Sequence, residues 1–120
     1  FTQTLQRVPT VPLLVEAFVP FERELAIMAA RSPQGEIVLY PVVETEQEAQ
    51  VCRRVFVPAA IPPAVTAQVE AIAQTLLTQL EVVGIFGIEL FLTADHTVLV
   101  NEIAPRTHNS GHFSLDACNC

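Results

Sequence analysis

The sequence contains no lysine and no tryptophan, and six arginines face thirteen acidic residues, for a net charge of -7 at pH 7. Without a basic stripe there is little to hold phosphate-rich nucleic acid or an anionic membrane surface, so neither is expected as a partner. No apolar run approaches the roughly 20 residues that span a bilayer, and no basic-then-apolar leader opens the chain, so a soluble, cytoplasmic protein is expected. Cysteine is scarce as well. Cys52, Cys118 and Cys120 are odd in number and lack framework spacing, which suits reduced cytosolic thiols better than secreted cross-links. There is no internal repeat, no low-complexity tract and no glycine-rich phosphate loop.

What is present is apolar: 51% of the 120 residues are hydrophobic, enough to bury a core within one domain or less. The chain opens inside "FTQTLQRVPTVPLLVEAF" without a methionine and stops at Cys120 in a polar stretch, so a piece of a longer protein is expected.

Residues 12–19 form a short apolar run with the composition of a strand, and 22–32 alternate, with Leu25, Ile27 and Ala29 on one face. Pro33 and Gly35 sit at turn positions, so 36–44 is expected to return as a second arm of a hairpin. The acidic "TEQEAQ" (45–50) suits a solvated loop, and 51–59 a further strand ending near Pro58. Pro62 and Pro63 fit a first helical turn, and Val65, Val69, Ile72, Ala73, Leu76, Leu77 and Leu80 fall on one helical stripe, with Gly84 placed to end the helix. Residues 84–93 and 97–104 are expected strands joined through Asp95 and His96, after which Pro105 and Gly111 signal irregular chain. The sum is an α+β fold, an antiparallel sheet with one long helix packed on one face.

If "TADHT" makes a two-residue hairpin, with residue 94 facing 97, then Glu89 lies directly opposite Glu102 and both side chains leave the same sheet face, alongside Phe91, Val98 and Val100. Opposed carboxylates about 5 Å apart destabilise a strand pair. A divalent cation such as Mg²⁺, which takes one or two carboxylates plus nucleotide phosphates, would relieve the repulsion; so would a solvated face or a neighbouring arginine. Arg106 and His108 follow in a loop from which a guanidinium could hold phosphate oxygens and an imidazole could move a proton. Asn109, Ser110 and Gly111 add small donors and a permissive backbone. His108, His112, Cys118 and Cys120 are zinc-type residues, but their spacing suits zinc poorly.

The segment "VLVNEIAPRTHNSGH", with "VGIFGIELFLT", "VEAFVPFERELAIMAAR" and "YPVVE" before it, resembles the 5-(carboxyamino)imidazole ribonucleotide synthases, an ATP-grasp family also called the ATPase subunit of phosphoribosylaminoimidazole carboxylase. The likeness runs over nearly the whole chain and implies the carboxy-terminal half of an ATP-grasp domain, spanning 1–120, without its phosphate-covering lobe or amino-terminal domain. It implies ATP and Mg²⁺ as cofactors, and ATP, bicarbonate and 5-aminoimidazole ribonucleotide as partners of a homodimeric full-length enzyme. By the same resemblance Glu89 and Glu102 are Mg²⁺-ATP ligands. Glu16, Ala17, Phe18 and Val19 form the hinge along the adenine edge, Glu24 accepts the ribose hydroxyls, and Phe91 lies against the base. Arg106 and His108 fall at the carboxyphosphate and imidazole end, with Asn109, Ser110 and Tyr40 as substrate contacts.

Two departures stand out. Ala104 occupies the position where ATP-grasp enzymes often carry an asparagine after the second metal carboxylate, and the stretch after Tyr40 lacks an expected histidine and glycine. Other readings are a different ATP-grasp ligase, of the glycinamide ribonucleotide transformylase or biotin carboxylase type, and a non-catalytic, self-associating fragment.

Overall fold

A computed structural model of the chain describes residues 12–49 and 51–117, and expectations resting on residues 1–11, Gln50, Cys118 and Cys120 lie outside them. In chain order the elements are β1 (Phe21–Arg31), β2 (Ile37–Leu39), β3 (Val43–Glu48), β4 (Val51–Phe56), α1 (Pro63–Gln79), β5 (Gly84–Thr93), β6 (Val98–Ala104) and a 3-10 helix (Asn109–Leu115). The strands form one antiparallel sheet in the order β4-β3-β1-β5-β6, with β2 also paired to β1. The expected α+β arrangement is the one adopted. No helix among the described residues is long and apolar enough to cross a membrane.

β1 is central because it is apolar on both faces: Leu25 to Met28 and Ala29 are all buried. Its odd residues Leu25, Ile27 and Ala29 join Phe86, Ile88, Leu90 and Leu92 of β5 beneath α1, which contributes Val65, Val69, Ala73 and Leu77. Complete burial of each large aliphatic side chain contributes about 1.5–3 kcal/mol, so this layer fixes the sheet and leaves its opposite face for other work.

Pro63 occupies the first turn of α1 as expected, where its missing N–H costs nothing. The far end differs. Leu80 is 55% exposed, and the left-handed residue after the helix is Glu81 (φ 50°), while Gly84 opens β5. The stripe therefore closes at Leu77, one turn earlier than the spacing suggests.

Three strand expectations are corrected. Residues 12–19 form no strand: they pair with no other described residues, and Leu14 and Phe18 lie open at 84% and 89% exposure. Residues 36–44 are split at Tyr40–Val42, because Pro41 has no N–H to donate and the pairing with β1 slips by one residue between Leu39 and Val43. The acidic Thr45–Glu48 is strand, not loop: Thr45 is buried against the sheet, and Glu46 turns outward to Arg54 at 3.0 Å. Cross-strand pairing of this kind lets acids occupy a sheet.

Candidate functional site

The face away from α1 carries Glu24, Ala26 and Met28 from β1, and Phe91, Glu89 and Gly87 from β5, paired in that order. Glu89 is in turn the direct partner of Glu102 on β6. The two acids do share this face, but the path to that register differs from the one expected. The tip is a three-residue loop: Thr97 O accepts from Thr93 N at 3.0 Å, His96 N donates to Thr93 O at 3.0 Å, and His96 is left-handed (φ 63°). Asp95 is held below the usual carboxylate range, first by the Thr93 hydroxyl and then by Thr97. Alone, that longer tip would put the acids out of step. A β-bulge at Asn101, where Leu90 faces Val100 but Glu89 faces Glu102, restores them. The three-residue tip, by pairing Val98 with Leu92, turns Val98 to the helix side, where it is buried in the core, contrary to its expected place beside the acids. Val100 still borders the cleft described next.

Phe91 stacks on Phe21 with ring centroids 4.3 Å apart and an interplanar angle of 7°. Glu16, Ala17, Phe18, Val19, Val100 and Asn101 join these rings around an open cleft of about 310 Å³. One oxygen of Glu24, Oε2, is buried without a hydrogen-bond partner among the described residues. Burial pushes the Glu24 carboxyl upward, with the charge of Glu89 adding to the shift and the Gln47 side chain opposing it. An orphaned acceptor here suits a ligand that brings hydroxyl donors.

His108 reaches the acids. Its Nε2 lies 3.4 Å from Glu89 Oε1, with the two side chains 16% and 22% exposed, and Asn101 Nδ2 donates to the other Glu89 oxygen at 3.4 Å. Arg106, expected beside it, is not brought there: it is exposed and donates to Thr107 O at 3.0 Å. Asn109 is exposed, while Ser110 is 2% exposed and presents its hydroxyl to His108 Nδ1 at 3.4 Å, so an open substrate contact by Ser110 is corrected to an internal one. Tyr40 lines a different recess of about 180 Å³ with Met28, Ile85, Gly111 and His112. "NSGHFSL" winds into the 3-10 helix where irregular chain was expected, and His112 lines the Tyr40 recess.

Two carboxylates on facing strands fit a cation that takes most of its ligands from phosphate and water; no group of three or more His, Cys, Asp or Glu among the described residues could cage a metal by itself. That donor set fits Mg²⁺.

Sequence reasoning missed Cys52 and Gly87 as neighbours of the acids and of His108. Cys52 lies close enough to the acids that, after burial, the charges of Glu89 and Glu24 raise its thiol pKa. Gly87 lets the chain of His108 lie against β5: a Cβ there would stand 2.5 Å from His108 Cβ. Gly111 sits on Met28 in the same way, at 2.6 Å from its Cγ. An isolated glycine inside a strand pattern marks close backbone approach, and this signal was available at Gly87.

Comparison with known proteins agrees with this geometry. The N5-carboxyaminoimidazole ribonucleotide synthase of Synechococcus elongatus is 59% identical over 116 residues, 97% of this chain and 29% of that protein. The phosphoribosylaminoimidazole carboxylase of Candida albicans is 45% identical over 107 residues, 89% of this chain and 19% of that one. Among solved structures, N5-carboxyaminoimidazole synthase from Aspergillus clavatus in complex with ADP and 5-aminoimidazole ribonucleotide superposes with a TM-score of 0.87 at 32% identity, covering 98% of this chain and 31% of that one. The chain thus spans less than a third of the length of these relatives. The ATP-grasp domain family matches residues 2–120, and the chain belongs to that family.

Proposed function

We propose that this chain forms the adenine-, ribose- and metal-binding half of an ATP-grasp site, within a protein that carboxylates 5-aminoimidazole ribonucleotide using ATP and bicarbonate. The observation that carries the reading is the Glu89–Glu102 pair on neighbouring strands, on the sheet face that α1 leaves free. Glu89 and Glu102 would hold Mg²⁺ there, and the ion when bound would supply positive charge against the anionic phosphates. Residues 16–19 supply backbone along the adenine edge, Phe91 supplies an apolar wall, and the orphaned Glu24 oxygen accepts a ribose hydroxyl. In the proposed reaction bicarbonate takes the terminal phosphoryl group of ATP, and the carboxyphosphate formed passes its carboxyl to the substrate amine, releasing phosphate. The amine must lose a proton as the carbon–nitrogen bond forms, and the His108 imidazole is the group beside the acids suited to take it. Arg106, open at the rim, would meet anionic substrate once the remaining lobes close over it.

Calorimetry with Mg²⁺-ATP on the complete protein tests the site. Glu89→Gln and Glu102→Gln should each weaken metal-dependent binding by about tenfold or more, the worth of one charge-assisted contact. Unchanged binding in both would defeat the assignment. Phosphate release with 5-aminoimidazole ribonucleotide, against glycinamide ribonucleotide or biotin as acceptor, separates the proposed reaction from other ATP-grasp chemistry.

A further inference from the structure

Phe21 leaves its strand on the side that regular alternation would not give it. Counting back from Leu25 and Arg23 would send it beneath the helix, but β1 carries a bulge of its own: Phe21 faces Thr93 while Arg23 faces Leu92, so Glu22 is the extra residue. The ring is turned to the open face instead, where it stacks on Phe91 and stays 40% exposed. Both strands that flank β5 therefore have a bulge beside the cleft, one at Glu22 and one at Asn101. Bulges re-aim side chains, and one that brings an aromatic ring out of reach of the core needs a reason other than core packing.

Phe91 needs support on this face. Its partner on β1 is Glu24, the next residue of its own strand to share the face is Glu89, and its partner on β6, Leu99, is 39% exposed. Carboxylates give a ring no apolar surface to rest on. The Phe21 ring, with its centroid 4.3 Å away and its plane within 7° of parallel, does. Phe21 is itself anchored: its N–H donates to Val19 O at 3.0 Å, closing a three-residue turn about Pro20, whose own ring restricts the backbone there. One residue thus links the backbone of Val19, on one side of the cleft, to the Phe91 wall.

We infer that Phe21 is a positioning residue: stacked on Phe91 and tied to Val19, its ring fixes the angle at which Phe91 faces the bound base, and so sets the fit of the cleft. The inference rests on the reading of this cleft as the adenine site. Phe21 acts through Phe91.

Calorimetry with Mg²⁺-ATP on the complete protein tests this, with thermal melts without nucleotide as the check on folding. Phe21→Leu, which keeps an apolar group but no flat face, should raise Kd roughly three- to tenfold, the worth of an aromatic stack. Phe21→Tyr restores the ring and should return Kd to the wild-type value. Phe91→Leu should weaken binding at least as much, and adding Phe21→Leu to it should cost nothing more, because the ring to be held is already gone. If Phe21→Leu fails to fold, Phe21→Met takes its place with the same expectation. Wild-type Kd in Phe21→Leu, with binding weakened in Phe91→Leu, would overturn the inference and leave the cleft reading standing. Losses that add in the double variant would overturn it too, since Phe21 would then meet the base by itself. Unchanged binding in Phe91→Leu would overturn the adenine reading of the cleft, and the inference with it.

Discussion

Replacing Gly87 by alanine tests how tightly the 3-10 segment is seated on the sheet. The new Cβ would stand 2.5 Å from His108 Cβ, 3.2 Å from its Cγ and 3.4 Å from Met28 Sδ. Ordinary contact begins at 3.4 Å, so the root of His108 must retreat by about 0.9 Å (3.4 minus 2.5). A Cβ moves only with its backbone, and overpacking of this kind costs about 1–3 kcal/mol. At about 4 °C per kcal/mol for a domain of this size, Tm should fall by roughly 4–12 °C. The same retreat would displace His108 Nε2 from its 3.4 Å approach to Glu89, so kcat of the complete protein should fall as well. Gly111→Ala is the control: its Cβ meets Met28 Cγ at 2.6 Å and Sδ at 2.9 Å, a flexible side chain that can swing aside. Thermal melts and turnover should rank Gly87→Ala well below Gly111→Ala. A Gly87→Ala protein with wild-type Tm and kcat would refute the seating of His108 on β5.

Two further outcomes follow from the acids. Because burial raises the Glu24 carboxyl pKa, its contribution to stability is fully present below the unfolded value near 4.5 and is lost as pH rises through the raised folded value. Without nucleotide, urea midpoints should therefore increase on going from pH 7.5 towards pH 4.5, and Glu24→Gln should flatten that rise; equal slopes in the two proteins would contradict the burial. Cys52, its thiol pKa raised by burial and then by Glu89 and Glu24, should alkylate slowly with iodoacetamide at pH 7.5, and Glu89→Gln should speed it up. An unchanged rate in that variant would mean that the thiol does not sense the acid.

The sequence makes some of this legible and hides the rest for physical reasons. Periodicity locates β5 and the buried stripe of α1 because both are amphipathic, with one side in the core. It misplaces residues 12–19 because a strand is a property of a pair, and apolar, β-branched composition does not reveal whether a partner exists. It misses Thr45–Glu48 for the converse reason: the acids there are compatible with a strand because Arg54 lies across from Glu46, a long-range fact. At the site, residue type suffices to single out Glu89, Glu102 and His108. It cannot separate His108, carried onto Gly87, from Arg106 two residues earlier, which stays in solvent, because that division depends on which side of the chain the sheet lies. Burial of Ser110 was likewise invisible, since serine in a polar stretch carries no mark of being covered.

The extra residue at Asn101 gives β6 two masters. On one side of it, Val98 answers to the hydrophobic layer; on the other, Glu102 answers to whatever ligand the open face receives, although an unbroken zigzag would send both the same way. The irregularity acts as a change of phase. Substitutions at Val98 should be judged by how they fill space under α1, and those at Glu102 by charge and reach, so two positions of one short strand can drift under separate constraints.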